Sequence, residues 1–401
     1  MKKMIWIASL FMMLIVFGNV TIAQNENEGG YNFTPIKEIS HTSVKDQNRS
    51  GTCWSFSGIG FVEAELIRLG KGEYDLSDMF IVNKSYYDKA EIFVRMHGNY
   101  NFGAGGAFFD VLNVIKKYGI VPEEAYPGNA YGEELPVHNE LDAVLEAYTK
   151  AIIKNPNRKL STAWKNGLLG IIEAYLGKTP QNFTYKGMNY TPESFAKSLG
   201  FNPDDYISIT SFTHHPFYTK FAVEIPDNWA MEASYNLPLD EMFQVINDAI
   251  NNGYTVAWAA DVSDKGFNWG KGVAVVPEKE FTSEDGSDRA RWEKLSQNDK
   301  NKELYAFDKP GKEKVITQED RQIAFDNYTT TDDHGMVLVG TAKDQNGKLY
   351  FIVKNSWGQK SSNPYDGYLY ASEAFIKMQT INVMVHKDAI SKDIKKKLGI
   401  K

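Results

Sequence analysis

Cys53 is the sole cysteine of the chain, and it stands in Gln47-Asn48-Arg49-Ser50-Gly51-Thr52-Cys53-Trp54-Ser55. Far downstream lie Asp333-His334-Gly335 and Lys354-Asn355-Ser356-Trp357-Gly358. These residue types can carry out acyl transfer. A thiol is a weak nucleophile until it loses its proton, and a helix N-terminus or a neighbouring imidazolium favours the thiolate. Apolar residues recur at Phe56, Ile59, Phe61, Val62, Leu66 and Leu69, and Gly70 closes the run. That spacing predicts a helix over 56–69 with Cys53 at or near its start. His334 can supply the imidazolium and give its proton to a leaving amine. Asn355 can hold the ring in one tautomer and orientation. Trp357 can cover that histidine–asparagine bond and exclude water. Gln47 can donate its side-chain amide to an oxyanion, beside the backbone N–H of Cys53, and such a donor is worth about 3 kcal/mol in the transition state.

Each piece alone has a plainer reading. A cysteine before tryptophan is commonly a small buried apolar residue. Any one of seven histidines is more often structural than catalytic, and Asn-Ser-Trp-Gly can be a strand-end turn. The conjunction carries the reading. Residues 335–342 and 348–354 are strand-like and are joined through Asp344-Gln345-Asn346-Gly347, a turn cluster. A hairpin centred there brings Asn355 within a residue or two of His334. Other features read as structural. His214-His215-Pro216 has no cysteine or acidic residue at metal-ligand spacing and reads as a surface loop. Gly103-Ala104-Gly105-Gly106 lacks the lysine and preceding strand of a phosphate loop. Asp261 reads as a strand-end cap.

The elements that must position these groups fall into two kinds. Residues 108–118 read as a helix. Leu141, Val144, Leu145, Tyr148 and Ile152 form one helical stripe, and Trp164, Leu168, Ile171, Ile172 and Tyr175 form another, stopped by Gly177. Thr191-Pro192-Glu193 starts a third helix, with threonine as N-cap and proline at the first helical position. A fourth runs over 239–250. From residue 255 the period changes to that of strands, at 255–262 and 272–276. Residues 281–310 are highly charged and read as a surface excursion. Thr317-Gln318-Glu319-Asp320 starts another helix.

Of 401 residues, 42% are hydrophobic and 24% charged, with a formal net charge of −7. This is a globular composition with a core large enough to bury. An acidic balance argues against nucleic acid as a partner. Lys2 and Lys3, the apolar run Met4 to Val20 and Thr21-Ile22-Ala23 read as an export signal cleaved before Gln24. The alternative is an N-terminal membrane anchor. The expected location is periplasmic or extracellular, with no stable membrane insertion once the signal is removed. A polar linker follows over 24–41. A lone cysteine excludes an internal disulfide.

The cysteine, histidine and asparagine, in that order and with these flanks, resemble the papain family of cysteine peptidases. His334 follows Cys53 by 281 residues (334 − 53), where ordinary papain-like enzymes use roughly 130 to 150. The inserted text resembles the bleomycin hydrolase and bacterial aminopeptidase C branch. It does so at Leu176-Gly177-Lys178-Thr179-Pro180, Phe183-Thr184-Tyr185, Thr191-Pro192-Glu193-Ser194-Phe195, Tyr235-Asn236-Leu237-Pro238-Leu239, and Gly253 to Val262 with Trp258.

The resemblance implies an α+β, papain-like two-lobed fold over 42–386. A helical lobe would carry the cysteine and a β lobe the histidine and asparagine, with a large helical insertion at about 128–250. It implies hydrolysis of peptide substrates through a Cys-His-Asn triad and a thioester, with no cofactor or metal. Carried over by position, Cys53 is the nucleophile, His334 the acid and base, Asn355 the orienting residue and Gln47 the oxyanion donor. Gly105, Gly106 and Trp357 are the substrate-binding positions, the glycine pair holding an extended peptide by its backbone. The branch is often a homo-oligomeric hexamer. In it a C-terminal arm enters the cleft and restricts cleavage to the amino end. Here the basic tail 387–401 has no counterpart to the proline- and tryptophan-containing arm. Endopeptidase or amidase activity therefore stays open beside aminopeptidase activity. A catalytically silent scaffold is the alternative of another class.

Overall fold

The computed structural model describes residues 30–157, 159–278, 295–359 and 362–400. The signal reading falls outside them, as does the polar stretch up to residue 29. Among the described residues no helix is long and apolar enough to cross a membrane.

Helix α1 (Cys53–Arg68) begins at the cysteine itself and is buried over most of its length. Helix α2 (Asp78–Arg95) is capped by Ser77, whose Oγ accepts from the Phe80 N–H at 3.0 Å. The sequence reading passed over α2, although Met79, Val82, Tyr86 and Phe93 mark its buried stripe. Helix α3 (Phe108–Tyr118) lies where expected. So do α4 (Asn139–Ile153), α5 (Ala163–Leu176) and α6 (Pro192–Leu199). Thr191 caps α6 through the Ser194 N–H.

The main sheet has eleven strands among the described residues. Its centre is β7 (Val256–Ala260), β10 (His334–Asp344), β11 (Leu349–Lys354) and β12 (Tyr368–Ser372), each antiparallel to the next. Beyond β7 lies β13 (Thr380–His386). Strand residues alternate between two cores. Ala257, Val337, Val339 and Ile352 face the core built by α1 to α6. Trp258, Met336, Leu338 and Val353 face the other, which contains α7 (Leu239–Asn251).

Three expectations change. The stretch read as a linker contains β1 (Phe33–Glu38), which pairs antiparallel with the second half of β10, Phe33 opposite Asp344. The insertion is not wholly helical. Its strands β4 (Tyr206–Thr210), β5 (Lys220–Ala222) and β6 (Ala233–Asn236) extend the main sheet beyond β13. The basic tail 387–401, for which the sequence offered no packed element, is folded: Ser391 caps helix α11 (Lys392–Leu398), whose Ile394 and Leu398 are buried in the α7 core. The lysines hid two apolar positions four residues apart, which is one helical face. Charged residues also run through 295–310, where a short helix, α8 (Gln297–Leu304), forms.

Helix α11 therefore lies on the face of the sheet opposite α1. Deleting residues 391–401 should cost roughly 3–5 kcal/mol of stability, the burial of two aliphatic side chains. It should leave the ratio of free to N-blocked peptide cleavage within about threefold. Thermal melting and paired rate measurements check the two halves. A large rise in cleavage of N-blocked peptides would show that the tail reaches the cleft.

Candidate active site

His334 is the first residue of β10, and Asn355 directly follows β11. Val337 pairs with Lys354, which sets Asn355 near His334, as the hairpin predicted. His334 Nε2 lies 2.7 Å from Asn355 Oδ1. The same Oδ1 accepts the Ser356 N–H at 2.7 Å, which fixes the oxygen end of the amide. A carbonyl oxygen only accepts, so Nε2 carries the proton and Nδ1 is left as the basic nitrogen. The Trp357 ring lies 4.7 Å from the imidazole, tilted by 33°. Trp269 packs edge-on against Trp357 at 5.0 Å. Histidine and asparagine are both buried.

Gly335 lets α1 approach. A Cβ there would meet Ser57 Oγ at 2.7 Å and the Phe108 ring at 3.3 Å. Helix α1 thus sits directly on the residue after His334, and the Cys53 sulfur receives the backbone N–H groups of Gly335 and Trp54. No side chain caps α1, since Thr52 makes no capping bond. The N–H of Cys53 therefore stays available.

Gln47 reaches the site through backbone pairing. Asp46 bridges Trp357, and the Gln47 N–H donates to Ser356 O at 2.8 Å. Ser356 Oγ donates to Gln47 Oε1 at 2.6 Å, which fixes Nε2 as the free donor end.

Burial works against charge on both Cys53 and His334. It pushes the Cys53 thiol up to about 12; the Gly335 N–H opposes the push, while Asp227 and Asp332 add to it. It lowers His334 to about 4, with the Asn355 bond opposing. Burial thus disfavours both the thiolate and the imidazolium. This departs from the thiolate and imidazolium expected from helix terminus and proximity.

Gly105 and Gly106 lie beside α1. A Cβ on Gly106 would meet the Trp54 indole at 2.8 Å, and Trp54 Nε1 donates to Ala104 O at 3.1 Å. A Cβ on Gly105 would overlap the carboxylate of Asp227. Buried Lys89 donates to Gly103 O at 2.8 Å and also to Gly105 O. The glycines thus make room for Trp54 and for Asp227, a steric reason not seen in the sequence.

A profile of the Peptidase C1-like family matches residues 94–276 and 286–400. The chain belongs to the Peptidase C1-like family. It is a cysteine peptidase by that membership. The matched spans include His334 and Asn355, while Gln47 and Cys53 precede them. Aminopeptidase C of Streptococcus thermophilus is 24% identical to this peptidase, over 93% of this chain and 86% of the relative. Aminopeptidase C of Listeria monocytogenes is 23% identical, over 89% and 83%. The solved structure of PepW from Lactobacillus rhamnosis HN001 superposes with a TM-score of 0.67 at 20% identity, covering 91% of this chain and 84% of that one. The likeness is one of fold, and the α+β, papain-like expectation holds.

Elsewhere in the peptidase, folding supplies the acidic partner that His214 and His215 lacked in sequence. Glu224 lies 3.1 Å from His214 Nε2 and 2.7 Å from His215 Nε2. The hydrogen bonds still oppose a metal. Gln322 Oε1 accepts the Thr213 N–H at 2.6 Å, so Gln322 Nε2 is the donor to His214 Nδ1 at 3.0 Å. That leaves the proton of His214 on Nε2, the atom that would have to bind the ion. Asp261 is a cap, as expected: it accepts from Ser263 N at 2.7 Å and Thr331 N at 2.7 Å. It thereby fixes the turn that leads into His334. Asp227 escaped the sequence reading because nothing local distinguishes it.

Proposed function

We propose that this peptidase cleaves peptide bonds from the amino end of its substrates, through a thioester on Cys53. The Asn355-fixed tautomer of His334 is the observation that carries the reading. Nδ1 takes the thiol proton as Sγ attacks the carbonyl carbon. The oxyanion is met by Gln47 Nε2 and the Cys53 N–H. The same proton passes to the leaving amine, and water then releases the acid by the reverse path. Gly105 and Gly106 pair with the substrate backbone, and Trp357 keeps water from the His334–Asn355 bond. Two curated relatives named Aminopeptidase C support the exopeptidase direction. One observation favours endopeptidase activity instead: helix α11 lies on the far face of the sheet and leaves the cleft unblocked by the tail. Incubation with matched free and N-acetylated peptides, read by mass spectrometry, separates the two. For the amino-terminal signal, we propose export with cleavage before Gln24. N-terminal sequencing of the secreted fraction tests this.

The protonation states give a pH profile. The active form holds one proton between Sγ and Nδ1. His334, lowered to about 4, takes a second proton only near that pH. Cys53, raised to about 12, yields the single proton only far on the alkaline side. So kcat/KM for an N-acetylated peptide, which has no amine to titrate, should be flat across neutral pH, fall near pH 4 and persist beyond pH 9. An alkaline limb near pH 8 would mean a resting thiolate–imidazolium pair.

A further inference from the structure

We infer that Asp227 receives the substrate's α-ammonium group and stops longer chains from passing, so that a loop of the insertion restricts cleavage to the amino end. This rests on the peptidase reading above. The carboxylate occupies the space over Gly105, one of the glycines along which an extended substrate would pair. A chain running past that point meets Asp227. Its charge reaches the Cys53 sulfur, so the obstruction stands close to the scissile bond.

The loop is built to hold that position. Asn101, from the segment leading into the glycine run, donates to Pro226 O at 3.0 Å. Asn228 is buried and donates to Val223 O at 3.1 Å and Glu232 O at 3.0 Å. It also accepts the Glu232 N–H at 3.0 Å, which closes the turn. Buried Trp229 lies under the Lys89 ammonium, 5.6 Å from its ring centre.

The carboxylate itself has no hydrogen-bond or ion-pair partner among the described residues. Lys89 acts on it through space only, since its donors go to the carbonyls of Gly103 and Gly105. Asp332, two residues before His334, is also unpartnered among the described residues; burial first, and then Asp227, disfavours its ionisation. Asp333, which acts on both, is tied to Ser263 and Thr331. Burial and neighbouring negative charge work against ionisation of both Asp227 and Asp332, and a cation brought to Asp227 relieves this. An α-ammonium brings a positive charge and three donors.

The test uses the full chain, a peptide with a free amino end and its N-acetyl twin. Wild type should prefer the free peptide by at least a hundredfold in kcat/KM. Asp227→Asn keeps the bulk and removes the charge. It should raise KM for the free peptide about tenfold, leave kcat nearly unchanged and keep the N-acetyl peptide poor. Asp227→Ala removes the bulk and should raise N-acetyl cleavage at least tenfold. Asp332→Asn should raise KM for the free peptide alone. Alkylation of Cys53 in each variant reports an intact site. Equal cleavage of both peptides by wild type, or an unchanged ratio in both Asp227 variants, overturns the inference and leaves the peptidase reading standing. Absence of any peptide cleavage by wild type overturns both.

Discussion

Cys53→Ala should abolish peptide hydrolysis, lowering turnover by roughly 10⁴-fold or more, as loss of a nucleophile does elsewhere. Stability should change by less than about 1 kcal/mol. Cys53 is the first residue of α1, where alanine is an excellent helix former. The side chain is small and only partly buried. Progress curves with a fluorogenic peptide and a thermal melt on the same preparation measure both quantities. Cys53→Ser is the sharper control, because it keeps the shape and changes the nucleophile. Residual turnover of either variant within tenfold of wild type would sink the cysteine mechanism.

Gln47→Ala should lower kcat about a hundredfold with little change in KM. The oxyanion exists only along the reaction path, so its donor acts on the transition state. The substitution also strips buried Ser356 of its acceptor, at a cost of about 1 kcal/mol. Gln47→Glu should be at least as slow as Gln47→Ala, since it puts an anionic oxygen where a donor belongs. Steady-state kinetics on all three proteins separate kcat from KM. An equal rise in KM and fall in kcat would place Gln47 in substrate binding.

The residues of the proposed site were legible because their chemistry is local. Cys53 announces a helix start, and the Asp344–Gly347 turn sets the register that brings Asn355 to His334. The helices of the insertion were legible from their stripes and caps. What stayed hidden depends on contacts distant in sequence. Strand β1 has no alternation strong enough to separate it from a linker, and its partner is three hundred residues away. Strands β4 to β6 are short and gain their identity from joining the sheet, β4 beside β13, β6 beside β4 and β5 beside β6. Helix α11 carries so many lysines that Ile394 and Leu398 disappeared among them. Asp227 is one acidic residue among many until the fold lays it on Gly105. The push of burial against charge on Cys53 and His334 is likewise something no motif reports.

Strand β10 is eleven residues long, with His334 at its start and Asp344 at its end. At about 3.4 Å per residue it separates its two ends by roughly 30 Å. Strand β1 enters at the far end, where Gln345 ties Gly30 and Asn32 to the hairpin. The chain therefore comes into the folded body at the pole remote from the triad. Anything fastened ahead of Gly30, whether a retained anchor, a reporter or a solid support, joins the folded body at that pole, on the side remote from His334. Large substrates would then approach from the open side, without passing the tether.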